Sequence, residues 1–160
     1  MSQQILRALA DEVDDSLGSL TRSVEDMEAA KQAAGASPSR VALWACGATL
    51  HAFCTGIEKI CEAVAHTLNG SPSAGPDWHR RLLRSMTSER PGVRPALISE
   101  ETASSLDDYL AFRHRFRNLY MFDLRWEPIK DLLDRAPGVW TKLHSELVTF
   151  ASYLRQIAAD

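Results

Sequence analysis

The amino-acid sequence predicts an all-α protein, an up-and-down helical bundle whose two long N-terminal helices form a hairpin. Apolar residues recur at steps of three and four through most of the chain. No segment shows the sustained alternation of a β-strand, and glycine and proline clusters separate the periodic stretches. The length of 160 residues and the hydrophobic content of 45% suit one core, so we assign residues 1–160 to a single helical domain.

The first two helices are predicted over residues 3–33 and 38–69. The first is amphipathic, with an acidic and polar opposite face, and its apolar positions are Ile5, Leu9, Val13, Leu17, Leu20, Val24 and Met27. Between the two helices, a glycine that suits a helix C-terminus precedes a Ser-Pro pair that suits the next N-terminus. The second helix is apolar almost all round, which predicts burial on several sides.

A short third helix is predicted from Asp77, the expected N-cap, to about Thr87. It follows residues 69–76, a loop by their glycine, proline and serine content. A fourth helix is predicted to begin near Ser99 and to reach about Phe122. Acidic residues occupy its first turn, where the helix dipole favours them.

Two more helices are predicted at the C-terminal end. Pro128 and Pro137 each suit the first turn of a helix, because proline lacks the N–H that a first turn leaves unpaired. We therefore expect one helix to begin near each proline, the final one reaching about Ala158.

The three cysteines, Cys46, Cys54 and Cys61, lie eight and seven residues apart, roughly in line on the second helix. An odd number cannot all pair within one chain, and the spacing of a zinc site is missing. We expect them to be small apolar core residues. No metal and no other cofactor is expected.

The cellular location is predicted from two expected absences. Residues 1–15 carry acids and no unbroken apolar stretch, so we expect no signal peptide. No stretch reaches the roughly 18 apolar residues that a membrane span needs. We expect a cytoplasmic protein with no membrane partner. Its net charge of −3 excludes capture of nucleic acid by the whole domain, so any contact with RNA needs a local patch.

The densest cluster of functional candidates is the segment Phe112–Tyr120, which places three arginines and a histidine at residues 113–117. On a helix, one face changes along its length from apolar to cationic, through Leu106, Leu110, Arg113, Arg117 and Tyr120. Inward-pointing arginines need an anion, a carboxylate or a partner surface. Two interpretations stay open: the arginines bind a phosphate, or they pair with bundle carboxylates such as Asp107, Asp108 or Glu127.

For two weaker sets of candidates, a structural role is favoured over a functional one. His79, Arg80, Arg81 and Arg84 form a second basic cluster on the short third helix, and a solvated face is favoured there over an RNA track. His51 and His66 lie fifteen residues apart, too far for a local metal pair. Both are expected to be hydrogen-bonded interior or interface histidines.

Residues 109–126, YLAFRHRFRNLYMFDLRW, resemble the motif helix of the HepT-like proteins of the HEPN superfamily. The family signature is an arginine, four residues, a histidine, one residue and a tyrosine. Arg113 matches the arginine and Tyr120 the tyrosine, while Asn118 stands at the histidine position. The resemblance extends upstream through WHRRLL and RPALIS and downstream through DLRWE, which covers roughly the last half of the chain.

The resemblance implies a HEPN-like bundle that forms a homodimer and acts as the toxin of a toxin–antitoxin pair. Such a toxin is an endoribonuclease that cuts RNA without a metal ion. Arg113, Asn118 and His114 would be its catalytic residues, and Arg115 and Arg117 would bind RNA phosphate. A nucleotidyltransferase antitoxin would neutralise it by attaching AMP to Tyr120, although that side chain could equally be a core aromatic.

Asn118 leaves the mechanism open, because an amide cannot exchange a proton near pH 7. His114 could take the role of the histidine, or the site could bind phosphate and leave the 2′-hydroxyl to supply its own chemistry. Alternatively, the chain is an inactive HEPN-fold module that binds a partner protein or a nucleotide. An engineered substitution that made a toxin safe to produce is the remaining explanation.

Overall fold

A computed structural model describes residues 2–70, 75, 77–118 and 124–159, and within them the protein is all-α, as predicted. The described part of the chain holds no named strand, only an isolated bridge between Arg90 and Arg94. Its helices are α1 (Gln3–Ala34), α2 (Arg40–Val64), a π-helical turn that continues α2 (Ala65–Asn69), α3 (Trp78–Ser85), α4 (Glu100–Phe116) and α5 (Trp126–Ile157). None of these helices is long and apolar enough to cross a membrane.

The N-terminal hairpin is confirmed, and side-chain caps explain where its helices begin. Ser2 Oγ accepts from the N–H of Gln4 at the start of α1. Gly35, with φ of 62°, follows the last residue of α1. The second helix begins at residue 40 and not at residue 38, because Ser39 Oγ accepts from the N–H of Ala42 and fixes the first turn there.

The core lies where α2 meets α1, α3, α4 and α5, which confirms the prediction that this helix is buried on several sides. The three cysteines are free and buried, as expected of small core residues. Cys54 contributes a contact between helices, since its Sγ lies 3.2 Å from the carbonyl oxygen of Tyr109. The assignment of residues 1–160 to one domain stays a prediction.

Two glycines of α2 allow neighbouring helices to approach closely. A Cβ at Gly47 would lie 2.7 Å from Cε2 of Phe116, at the end of α4. A Cβ at Gly56 would lie 2.7 Å from Cδ2 of Leu20 on α1. Both distances are well below carbon–carbon contact at about 3.5–4.0 Å, so these positions set how near α4 and α1 lie to α2.

The prediction of two C-terminal helices is wrong: α5 runs without interruption from Trp126 to Ile157, with Pro137 inside it. The first-turn position of Pro128 is confirmed. Buried residues continue at helical spacing on both sides of Pro137, as Ile129, Leu132, Leu133, Ala136, Leu143, Leu147, Phe150, Ala151 and Leu154. Their packing against α1 outweighs the hydrogen bond that the proline removes.

Two smaller expectations are also corrected. Asp77 precedes α3 but makes no side-chain cap, since its backbone is left-handed with φ of 59°. The fourth helix begins as predicted, with Ser99 Oγ accepting from the N–H of Thr102. It ends at Phe116, so the expected helical continuation through residues 117 and 118 is wrong, and the predicted end near Phe122 lies outside the described residues. The motif arginines thus lie in the last turn of α4 and just beyond it.

Candidate functional site

An open cleft of about 680 Å³ lies between α3 and the C-terminal end of α4, with Glu58 of α2 in its lining. The structure brings five of the predicted site residues to this cleft: Arg113, His114, Arg115, Arg117 and Asn118. Tyr120, the predicted modification site, lies outside the described residues. The cleft therefore collects the motif that the sequence singled out, and it adds residues from two other helices.

Two side chains of α2 bind the guanidinium group of Arg113. Its Nη1 lies 2.8 Å from Oε2 of Glu58, and its Nε donates to Oγ1 of Thr55 at 3.2 Å. The Arg113 side chain is 13% exposed and that of Glu58 is 8% exposed. The expectation that Arg113 pairs with a carboxylate is thus met, but not by Asp107, Asp108 or Glu127.

His79 of α3 contacts the same carboxylate. Its Nδ1 lies 2.6 Å from Oε1 of Glu58, although the approach is not aligned as a hydrogen bond, so a rotation of the ring is needed to complete one. The indole of Trp78 covers the imidazole, with ring centroids 3.6 Å apart. Glu58 therefore joins α3 to α4 through two of its own oxygens.

The solvated face predicted for α3 is wrong for His79, which is only 24% exposed. Arg80 is exposed and lines the cleft. Arg84 instead ties α3 to α4, since it donates to Asp107 at 2.5 Å and to Glu100 at 3.3 Å. The basic cluster of α3 thus divides between the cleft and a surface ion-pair network.

Burial dominates the electrostatics of the pair. It raises the pKa of Glu58 to about 7, and the Arg113 guanidinium only partly opposes this. Burial likewise lowers the pKa of His79, with the charges of Arg113 and Arg117 acting in the same direction. Burial therefore favours the neutral form of both groups.

Arg115 and Arg117 are the cations of the cleft that a ligand can reach. Both are exposed, and no carboxylate of the described residues lies within ion-pair distance of either one. His114, which follows the partly buried Arg113, is exposed as well. An anion entering the cleft therefore meets two unpaired guanidinium groups and an imidazole.

Asn118 lines the cleft, but its amide already has a structural task. Its Nδ2 donates to the carbonyl oxygen of His114 at 3.0 Å. That carbonyl belongs to the last turn of α4, where carbonyls lack a partner within the helix. The side chain helps to end α4 and has one oxygen left to accept a hydrogen bond from a ligand.

Two histidines of the second helical segment differ from expectation. His66 is exposed, so it is not an interior histidine, and the interface alternative stays a prediction. His51 is half-buried beside Phe116, but its Nδ1 has no hydrogen-bond partner among the described residues. Burial, together with Arg113 and Arg117, lowers its pKa.

Sequence reasoning missed Glu58, although the sequence holds a signal for it. Glu58 lies four residues after Cys54 and three before Cys61, so it falls on the stripe of α2 that the cysteines were expected to bury. A carboxylate on a buried stripe needs cationic partners. His79 carries no comparable local signal, because only the fold brings it to α2.

The model of one protein family, described as HepT-like protein, matches residues 45–154, well over half of the chain. The match covers α2 from its second turn, all of α3 and α4, and nearly all of α5. Comparisons with curated proteins and with solved structures give no significant match.

Proposed function

We propose that this chain, which belongs to the HepT-like family of the HEPN superfamily, is an endoribonuclease toxin that binds single-stranded RNA in the cleft between α3 and α4. The observation that carries this proposal is the pair of exposed arginines, Arg115 and Arg117, which have no ion-pair partner among the described residues, beside an exposed His114 in one open cleft. Unpaired guanidinium groups bind phosphate oxygens in pairs.

The residues of the cleft suit cleavage by the 2′-hydroxyl of RNA. That reaction needs positive charge on the phosphate and groups that accept and donate protons. Arg115 and Arg117 supply the charge, and His114 can exchange a proton. Arg113, which was predicted to hold the phosphate, is engaged with Glu58 and Thr55, so its main task in this proposal is to shape the floor of the cleft.

The family resemblance supplies the assembly and the regulation in this proposal. Two chains form a homodimer in which both motif helices face one RNA-binding cleft. A nucleotidyltransferase antitoxin neutralises the toxin by attaching AMP to Tyr120. The added phosphate would place negative charge close to Arg117 in sequence, where it would compete with RNA for the same cations.

A second candidate function is an inactive module that binds RNA, a nucleotide or a partner without cutting. Asn118 favours it, because the residue at the signature histidine position cannot transfer a proton and its amide caps α4. The cleft geometry is compatible with binding of this kind, so only an activity measurement separates the two functions.

The deciding experiment measures cleavage of a short single-stranded RNA by the purified protein, together with growth after induction in bacteria. The matched pair of variants is Arg117→Glu and Arg22→Glu, since Arg22 is exposed on α1 outside the cleft. We expect the wild type to cut RNA and arrest growth. Arg117→Glu should bind RNA about 10- to 100-fold more weakly, while Arg22→Glu behaves as the wild type.

The variant Asn118→His separates the two candidate functions. If the wild type binds RNA without cutting it and Asn118→His gains cleavage, the chain is a binding module with an intact cleft. If neither form cuts or binds RNA, the ribonuclease proposal is wrong. If the wild type cuts an RNA strand but not its all-2′-deoxy counterpart, cleavage proceeds through the 2′-hydroxyl.

A further inference from the structure

Three side chains from three helices form one continuous polar chain beneath the cleft. His79 of α3, Glu58 of α2 and Arg113 of α4 are linked by contacts of 2.6 Å and 2.8 Å through the two oxygens of a single carboxylate. Glu58 is buried, while His79 also lines the open cleft. A buried carboxylate behind a cleft-facing imidazole is an arrangement that orients histidine for proton transfer.

We propose, on the basis of the ribonuclease function above, that His79 is the proton acceptor for the attacking 2′-hydroxyl and that Glu58 is the residue that positions it. His79 thus performs, from α3, the proton transfer that Asn118 cannot perform from the end of α4. Neither residue belongs to the motif segment on α4, and the fold alone brings them to it.

The geometry assigns the two ring nitrogens different tasks. Nδ1 is buried 2.6 Å from Oε1 of Glu58, so once the ring rotates to align this contact, a proton on Nδ1 is the one that the carboxylate stabilises. Nε2 is then unprotonated, and it is the nitrogen left for a ligand in the cleft. This tautomer is the one that a general base requires.

The proposed step balances as an internal transfer. The 2′-oxygen of the RNA forms a bond to the adjacent phosphorus while its proton moves to Nε2 of His79. The bond from phosphorus to the 5′-oxygen breaks, and that oxygen takes a proton from the imidazolium of His114. The products are a 2′,3′-cyclic phosphate and a 5′-hydroxyl end, with no change in oxidation state.

The charges around Glu58 support this assignment. Arg113 and Arg117 face it from α4, Glu62 acts on it from its own helix, and His79 faces it from α3. When Glu58 is ionised, its charge is balanced by Arg113. Burial and the charges of Arg113 and Arg117 lower the pKa of His79, so the imidazole is neutral before the step and can accept a proton. The carboxylate 2.6 Å from Nδ1 lies where positive charge then develops.

The test compares His79→Ala and His79→Gln with His66→Ala, a control at an exposed histidine outside the cleft. Cleavage rate is measured on single-stranded RNA, and binding is measured separately on the all-2′-deoxy strand. We expect both His79 variants to lose about 10²- to 10⁴-fold in kcat. Binding of the deoxy strand should change by less than about threefold, since Arg115 and Arg117 remain, and this unchanged binding also shows that the variants are folded.

Imidazole added to His79→Ala should restore part of the rate, because the removed ring leaves space beside Glu58. Glu58→Gln should lower kcat with little change in KM, and it should remove the rise of kcat through about pH 7 that follows from ionisation of Glu58. A merely structural role of the pair predicts neither the imidazole rescue nor the altered pH profile.

Failure of this inference is distinguishable from failure of the ribonuclease proposal. If the wild type cuts RNA and His79→Gln cuts it within about threefold of the same rate, His79 is not the proton acceptor. If His79→Ala is inactive but imidazole does not restore it and Glu58→Gln keeps the wild-type pH profile, the pair is structural. If the wild type never cuts RNA, the proposed function itself is wrong.

Discussion

Substituting Gly47 by alanine tests whether the stability of the protein depends on the close approach of α2 and α4. The new Cβ would lie 2.7 Å from Cε2, 3.3 Å from Cδ2 and 3.4 Å from Cζ of Phe116. To reach ordinary contact at about 3.5–4.0 Å, the ring or the helix must move by about 1 Å.

The phenyl ring of Phe116 has little freedom to move. It packs edge-on against Trp44 with centroids 4.9 Å apart, and it stacks on Phe112 at 5.5 Å. His51 lies at 5.4 Å on another side. Overpacking of this kind costs about 1–3 kcal/mol, while alanine in place of glycine inside a helix contributes about 1 kcal/mol in the opposite direction. The net expectation is a destabilisation of up to about 2 kcal/mol.

The control is Gly138→Ala, since a Cβ at this helical glycine of α5 meets nothing within 4 Å. It should stabilise the protein by up to about 1 kcal/mol. The two variants should thus differ by up to about 3 kcal/mol. At about 2–4 °C per kcal/mol for a chain of this size, this is a difference in Tm of up to roughly 6–12 °C in thermal unfolding followed by circular dichroism. If Gly47→Ala raises the Tm as much as Gly138→Ala does, the contact does not constrain the helices.

Three more predictions concern stability. Burial raises the pKa of Glu58 from 4.5 to about 7, so between these values the folded state keeps a proton that the unfolded state has lost, and stability is lost as the pH rises. In urea titrations, the free energy of unfolding of the wild type minus that of Glu58→Gln should therefore fall from about pH 5 to about pH 8, and a flat or rising difference contradicts this. Arg94→Lys should cost about 3 kcal/mol in the same assay, because Arg94 is 2% exposed and its planar fork donates to three backbone carbonyls and a side-chain amide; Arg90→Lys, at an exposed position, is the matched control and should change little. Pro137→Ala should raise stability by about 1–2 kcal/mol by restoring a hydrogen bond inside α5, and an unchanged or lowered Tm would show that the helix has adapted fully to the proline.

The helices could be predicted from the sequence because their signals are local. Apolar spacing and the capping residues act within a few positions of one another, and α1 and the start of α4 follow them closely. Pro137 misled the prediction for the same reason. Local chemistry favours a helix start at proline, but the packing of α5 on α1 decides the outcome, and a single sequence does not show that packing.

The site was predictable only along α4. The spacing of Arg113, Arg117 and Asn118 follows from one helix and the residues just beyond it, so they could be placed on one surface in advance. The partnership of Glu58 with His79 and Arg113 spans three helices, and it depends on how close the fold brings α3 to α2. The sequence holds a partial signal for Glu58, since a carboxylate on a buried stripe needs cationic partners, but it does not show which residues these are.

An acidic protein can hold a cationic cleft because carboxylates near the cleft form ion pairs with other residues. On α4, Asp107 is tied to Arg84 and Asp108 to Arg135, so neither is free to neutralise the end of the helix. The described residues that line the cleft include three carboxylates: Glu58, Asp77 and Asp107. Glu58 is engaged by Arg113 and His79 beneath the cleft. Because Glu58 is engaged in this way, it forms no ion pair with Arg115 or Arg117, and it holds the His79 imidazole in the lining of the same cleft. Net charge thus says little about this site, because pairing across helices decides which charges an incoming phosphate meets.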